Sequence, residues 1–209
     1  RSLGLALIAT GVTCLGSLLL AICRRWSPQP LVQQLSFIAG LGYAIPGAVV
    51  VVGLLLPVTW IQKQWPDSPV GFWITASVLG LIWAYLVRFC AVALQSIQSG
   101  YARIPTSLDD SARTLGVTGM ALLSSVHAPL LKRSVFAAAL LVFVDVMKEL
   151  PATLVLRPFD TDTLAVVAFQ LARDERLGEA ALPSLALVAV GLIPVLLLSR
   201  AMRQTNKPA

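Results

Sequence analysis

The chain has 209 residues, of which 57% are hydrophobic and 12% charged, with a formal net charge of +6. Soluble domains carry about 25% charged residues, and here none falls between Arg1 and Arg24, Arg25 and Lys63, Asp67 and Arg88, or Glu179 and Arg200. Each gap has the roughly 20 residues that a helix needs to cross a bilayer core, which excludes a soluble domain, and basic residues without interleaved aromatics exclude a nucleic-acid partner.

The first span is expected over residues 3–23, stopped by Arg24 and Arg25 on the cytoplasmic side. A linker with Pro28 and Pro30 leads to a second span at 37–56, and Pro57 marks its end. Within it Gly40, Ala44 and Ala48 recur every four residues, a stripe that admits another helix closely. Residues 59–69 read as a short outer loop, with Trp60, Trp65 and Trp73 forming an interfacial belt. The third span covers 70–94, with Arg88 near its inner end, snorkelling to the headgroups. Residues 95–133 hold no obvious span. The fourth span, 134–156, carries charges. Residues 159–179 are polar and acidic, apart from an apolar run at 164–171 suited to a short interfacial or re-entrant helix. The fifth span, 180–199, ends before Arg200, Arg203 and Lys207.

The expected fold is therefore an all-α integral membrane protein, one transmembrane domain over 1–209 with about five spans and a cytoplasmic loop at 95–133. Ten basic residues fall on one face of this arrangement and five on the other, which puts the N-terminus outside and the C-terminus in the cytoplasm. A sixth span through the uncharged run 114–131 would place Arg200, Arg203 and Lys207 outside, so that run reads as cytoplasmic helices. Cys14, Cys23 and Cys90 lie in apolar spans without metal-ligand spacing, as buried inert thiols. No metal site and no cofactor is expected.

The loop has internal order. Pro105-Thr106-Ser107 starts a helix, and Asp109 and Asp110 follow in its first turn, where acids suit the positive helix end. Leu108, Ala112 and Leu115 share one face, while Asp109, Asp110 and Arg113 turn to water or a partner. Gly116 can end the helix in the left-handed region. Thr118 can cap a second helix, which Pro129 interrupts near its end. A short amphipathic helix held between two spans is a shape for docking something soluble.

Asp110-Ser111-Ala112, three residues, Gly116, nine residues, then Val126-His127-Ala128-Pro129 resembles the E-A-A-x3-G-x9-I-x-L-P signature of importer permeases of the ATP-binding-cassette class. Spacing matches throughout; Asp replaces Glu, Ser the first Ala, Val the Ile and Ala the Leu. In that family the loop contains a coupling helix that inserts into a groove on the ATPase. The resemblance thus implies a type I importer permease-like fold and ATPase docking through Asp109, Asp110, Ser111, Ala112, Arg113, Gly116, Val126 and Pro129, in the loop 107–129. His127, the single histidine, falls at a variable position. The segments Leu41-Gly42-Tyr43-Ala44-Ile45-Pro46-Gly47 and Lys148-Glu149-Leu150-Pro151-Ala152-Thr153-Leu154-Val155-Leu156-Arg157-Pro158 look like segments of the ferric-iron permeases. Those are commonly two homologous halves in one chain, and this sequence looks like the C-terminal half. The resemblance implies iron transport across a bacterial inner membrane. It also implies a cytoplasmic ATP-binding subunit, a periplasmic solute-binding protein, a second permease half and membrane lipid as partners. Thiamine permeases share the fused layout, so thiamine or another small solute stays open.

Asp145, Lys148 and Glu149 sit in the fourth span, where one charge at the bilayer centre costs roughly 2.5–3.5 kcal/mol. Spacings of three and four residues put all three on one side of a helix. Pro151 frees the carbonyl of Met147. Asp145, Lys148, Glu149 and Pro151 then form either a transient site for a hard cation in a translocation path or a neutralising cluster. Arg157, Asp160, Asp162, Arg173, Asp174, Glu175 and Arg176 form an outer rim that docks a binding protein or is simply solvated. No G-x4-G-K-[ST] loop occurs, so ATP hydrolysis is expected on another chain and this one reads as a transport subunit, not an enzyme. The rivals are an ATP-independent secondary transporter or channel and a membrane enzyme. Against the enzyme stand a single histidine and no nucleophile motif.

Overall fold

The structure is a computed structural model that describes residues 2–27 and 29–203, and among these every regular element is helical. In order these are α1 (Ser2–Trp26), α2 (Pro30–Leu41), a 3-10 turn (Gly42–Ala44), α3 (Gly47–Gln64), α4 (Val70–Thr75) and α5 (Val78–Tyr101). Then follow α6 (Thr106–Thr114), α7 (Gly119–Leu122), a π-turn (Leu123–His127), α8 (Ala128–Lys148), α9 (Pro151–Leu156), α10 (Leu164–Arg173) and α11 (Leu177–Arg203). The helices α1, α3, α5 and the Leu177–Leu197 part of α11 are long and apolar enough to cross a membrane. α8 has 21 residues, about 32 Å at 1.5 Å per residue, with Lys132 and Arg133 near one end and Asp145 and Lys148 near the other. It is long enough to be the fifth crossing.

α1, α5 and α8 form the inner bundle. Lipid gives helices no hydrophobic reason to associate, so small residues that let backbones approach take over that role. Ala6, Ala9, Thr13, Ser17 and Ala21 of α1, Ala84 and Ala91 of α5 and Ala138 of α8 are all buried. The Ser17 hydroxyl donates to the Cys90 carbonyl at 3.3 Å. Around them pack Tyr85, Phe89, Ile97, Leu131 and Val142. α3 and α11 lie outside this core with most of their apolar surface uncovered. The apolar run at 164–171 is α10, which packs on α11. The Leu164 N–H donates to the Ser2 hydroxyl at 3.0 Å, so the start of α1 and the start of α10 share one end of the bundle.

Several expected boundaries move. The second span is two helices: the chain breaks at Gly42–Pro46, and Pro57 lies inside α3, which continues to Gln64. Proline is tolerated there because neighbouring groups in a membrane helix re-satisfy the freed carbonyl. The third span breaks at Ala76–Ser77, where the Ser77 hydroxyl caps α5 by accepting from the Leu79 N–H at 3.1 Å. The fourth breaks after Lys148, and α8 begins well before residue 134. Gly40, Ala44 and Ala48 line no helix contact among the described residues of this chain: nothing approaches the Cβ position of Gly40, and both alanines are exposed. The close contact falls instead at Gly42, where any Cβ would strike the Val87 carbonyl. Cys23 is exposed, so only part of the thiol expectation holds. Trp60, Trp65 and Trp73 are exposed together at the joint of α3 and α4, with Trp60 edge-on to Trp65.

Candidate functional site

Two polar clusters stand out against the apolar bundle. The first lies midway along α5. Arg88 is eleventh of its 24 residues, roughly 15 Å from one end and 20 Å from the other, and it does not snorkel. Its Nη1 donates to the Ile45 carbonyl at 2.9 Å, inside the α2–α3 break, and its Nε lies 3.1 Å from Glu149 Oε2, inside the α8–α9 break. Glu149 is buried, and its other oxygen accepts from the Ala152 N–H at 3.3 Å, capping α9. The Glu149 carbonyl accepts from the Thr153 hydroxyl at 2.7 Å, and Thr153 meets the Tyr85 hydroxyl at 2.5 Å. Gly47 opens α3 against this pair, where a Cβ would lie 2.5 Å from Glu149 Oε1 and 3.2 Å from Arg88 Nη1.

The expected Asp145–Lys148–Glu149 cluster therefore divides. Lys148 pairs with Asp145 at 2.9 Å, while the backbone of Glu149 turns to extended geometry (ψ 119°) and carries its carboxylate to Arg88 instead. The helix ends at Lys148, so the helical spacing that put all three on one side no longer applies. Pro151 is the first residue of α9, where its missing N–H costs no bond. Non-helical backbone at membrane depth is tolerated only when buried in protein or lining a watery cavity. Here two breaks and an ion pair meet at one level. Tyr43, Ala44, Ile45, Pro46 and Lys148 beside them are uncovered by the rest of the chain.

The second cluster lies at the other end of the inner bundle, where α6 joins. Thr106–Thr114 forms the short helix expected, and its end is a Schellman motif. The Val117 N–H bonds to the Ala112 carbonyl and the Gly116 N–H to the Arg113 carbonyl, both at 2.9 Å, with Gly116 at φ +82°. Thr118 occupies the cap position of α7 without a side-chain bond. Pro129 does not interrupt a helix. The turn before it widens to π geometry, with the Ala128 N–H reaching the Leu123 carbonyl, and α8 runs on through Pro129.

The faces of α6 differ from expectation. Asp109 and Ala112 are buried, whereas Leu108, Asp110, Arg113 and Leu115 are exposed, Leu115 at 83%. Asp109 therefore faces the bundle, not a partner. Its Oδ2 accepts from Arg25 Nε at 2.9 Å and its Oδ1 meets His127 Nε2 at 3.1 Å. Arg25 Nη2 also donates to the Pro105 carbonyl at 3.2 Å. His127 Nδ1 lies 3.1 Å from the Tyr101 hydroxyl. A carboxylate only accepts, so Nε2 carries a hydrogen toward Asp109. Burial alone would raise the Asp109 carboxyl, but hydrogen bonds from Arg25 and His127 outweigh it and hold it below its ordinary value of 3.8. One carboxylate thus ties the end of α1, the end of α5, α6 and the π-turn together. Ser111 bonds only back along α6. Arg113 pairs loosely with Asp110 at 3.5 Å.

Sequence reasoning missed Arg25, Tyr101, His127 and Arg88 as members of these clusters. The Arg25–Asp109 bond joins residues 84 apart, and Arg88 meets a carbonyl 43 residues away. The available signal was energetic: a charge in the middle of an apolar helix needs a partner.

No protein-family model matches the chain. It is 28% identical over 198 residues to a permease protein provisionally named for a 2-aminoethylphosphonate transport system in Salmonella typhimurium, covering 91% of this chain and 71% of that protein. A protein of the same name from Salmonella choleraesuis is 29% identical, covering 88% and 69%. An Fe(3+)-transport system permease protein of Haemophilus influenzae is 26% identical over 196 residues, 90% of this chain and 37% of that protein. The chain thus resembles transport-system permeases along nearly its whole length. With its apolar helices, this supports a multi-pass membrane protein with a transport role.

Proposed function

We propose that this chain is the translocation subunit of an ATP-driven importer in a bacterial inner membrane, with ATP hydrolysed on a separate cytoplasmic subunit docked at the loop 107–129. The observation that carries the reading is the construction of that loop. Asp109 anchors α6 rigidly to α1 and α5, while Leu115 and Met120 project outward beside Asp110 and Arg113. A helix fixed at its base with an apolar tip can transmit force from a partner into the bundle; a solvated loop cannot. Val126, Pro129 and Gly116 then act through shape, setting the two turns that flank the tip.

The path runs by the helix breaks at Arg88 and Glu149, whose uncovered side is closed by a second permease half. The solute is small and charged. Ferric iron fits the segments around Gly47 and Glu149 and the name of the Haemophilus relative. An aminoalkylphosphonate is the second reading, favoured by the names of the Salmonella relatives. A periplasmic binding protein docks on the rim near Arg157 and Asp162, which pair with each other. The basic excess at the α6 end supports a cytoplasmic position for that end even with Arg88 at mid-depth.

The test is ATP-dependent uptake into vesicles holding the permease, its ATPase and its binding protein, with ferric iron and 2-aminoethylphosphonate as competing solutes. Gly116→Pro should abolish both uptake and ATPase association. Association that ignores the substitution would refute docking at this loop, and uptake of neither solute would refute the substrate reading alone.

A further inference from the structure

Where α5, α6 and α8 converge, a cleft of about 510 Å³ opens beside the docking helix. Arg103, Lys132 and Arg133 line it, no acidic residue does, and none of the three has an ion-pair partner among the described residues. Three uncompensated cations in one cleft repel each other, an arrangement that persists when an anion occupies the space between them. The surroundings of the cleft point to the class of anion. Lys132 and Arg133 stand in the second turn of α8, immediately before its uncharged stretch from Ser134 to Val144. Leu108 and Leu130 line the same cleft and are exposed, and Phe136, three residues beyond Arg133, is exposed on the membrane-going part of the helix. Cations beside Leu108 and Leu130, with the exposed apolar face of α8 beginning at Phe136 just beyond them, match a phosphodiester headgroup with its acyl chains. An acidic protein surface would leave the apolar part unmatched. Leu115, at the tip of α6, lies about 15 Å along the chain from Pro105 at the cleft, so an ATPase on the tip leaves the cleft open.

We propose that this cleft is a binding site for an anionic phospholipid of the leaflet at the α6 end, with its phosphate held by Arg103, Lys132 and Arg133. The site rests on the membrane-spanning reading of α5 and α8 and is independent of the solute and of the ATPase. Pro105 and Leu108 line the cleft, so the lipid braces the start of α6.

The experiment is lipid retention by the permease, purified with the subunits it keeps, from nanodiscs of phosphatidylcholine and phosphatidylglycerol at 7:3, read by native mass spectrometry. Each basic residue near a membrane surface contributes about fivefold in affinity. Single alanine variants should therefore retain about fivefold less phosphatidylglycerol, and the triple variant no more than the phosphatidylcholine background. Arg133→Lys should retain it, and Lys63→Ala at the opposite end should not matter. Unfolded variants are identified by loss of the monodisperse peak, and Arg133→Lys against Arg133→Ala keeps the test open if the triple variant fails to fold. Undiminished phosphatidylglycerol in the alanine variants overturns the proposal. So does displacement of the lipid by millimolar inorganic phosphate, which marks a free-anion site. Loss of the ATPase from the alanine variants with lipid retention unchanged also overturns it, since the cations would then be a protein contact.

Discussion

Removing both charges from the mid-bundle pair should cost no more than removing either one. Glu149 is buried, Arg88 is largely so, and the two lie 3.1 Å apart midway along α5. Glu149→Gln keeps the shape and the cap on Ala152 but leaves a guanidinium alone near the bilayer centre, at about 3 kcal/mol. Arg88→Met strands the carboxylate for a similar amount and also loses the bond to the Ile45 carbonyl. If the single costs were independent, the double variant would lose about 6 kcal/mol. With no charge left to strand, it should instead lose about 3, giving a coupling of about 3 kcal/mol. The assay is reversible unfolding of the purified protein by SDS in mixed micelles, for wild type, both singles and the double. Additivity within about 0.5 kcal/mol would refute the pair as a unit and with it the account of the two helix breaks.

Gly47→Ala should reproduce much of the Glu149→Gln defect, because its Cβ displaces Glu149 Oε1; unchanged stability in the same titration would contradict that contact. Asp109→Asn should free α6, at about 3 kcal/mol, seen as faster tryptic cleavage at Arg103 and Arg113 without loss of the inner bundle. Because the folded Asp109 carboxyl lies below its unfolded value of 3.8, its contribution is complete above that pH and vanishes as the pH falls through the lower folded value. Hydrogen-exchange protection of residues 106–114 should therefore hold to about pH 4 and then drop, with no such step in Asp109→Asn. Gly116→Ala should cost about 1 kcal/mol, since φ +82° burdens any residue with a Cβ, and should fray the end of α6 in the same exchange measurement.

The long apolar runs made α1, α5 and α11 legible, and turn chemistry made α6 and its glycine stop legible, because each of these is decided by neighbouring residues. The breaks in the second and fourth spans were not. Apolar composition says that residues can sit in a bilayer, not that they do so as one straight rod. The second span breaks where Ile45, the residue before Pro46, turns extended, and the break is seated by Gly42 lying against the Val87 carbonyl, a fact about a different helix. The inward face of α6 was misjudged for the same reason. Leu108 and Leu115 looked like the buried side, but Asp109 is drawn in by Arg25 and His127, and two hydrogen-bonded partners outweigh a leucine's preference at a membrane surface. The side chains of residues 201–209, including Arg203 and Lys207, fall outside the described residues.

The π-turn at Leu123–His127 sets the phase between the short helices α6 and α7 and the membrane helix that follows it. One residue more or fewer there rotates everything upstream by about 100° against α8. His127 would swing away from both Asp109 and Tyr101, and the outward leucine and methionine would point in a new direction. Side chains in this stretch are therefore far more exchangeable than its length. A lineage can alter what the end of α6 displays by ordinary substitution, but a single-codon gain or loss between Gly116 and Pro129 re-aims the whole segment.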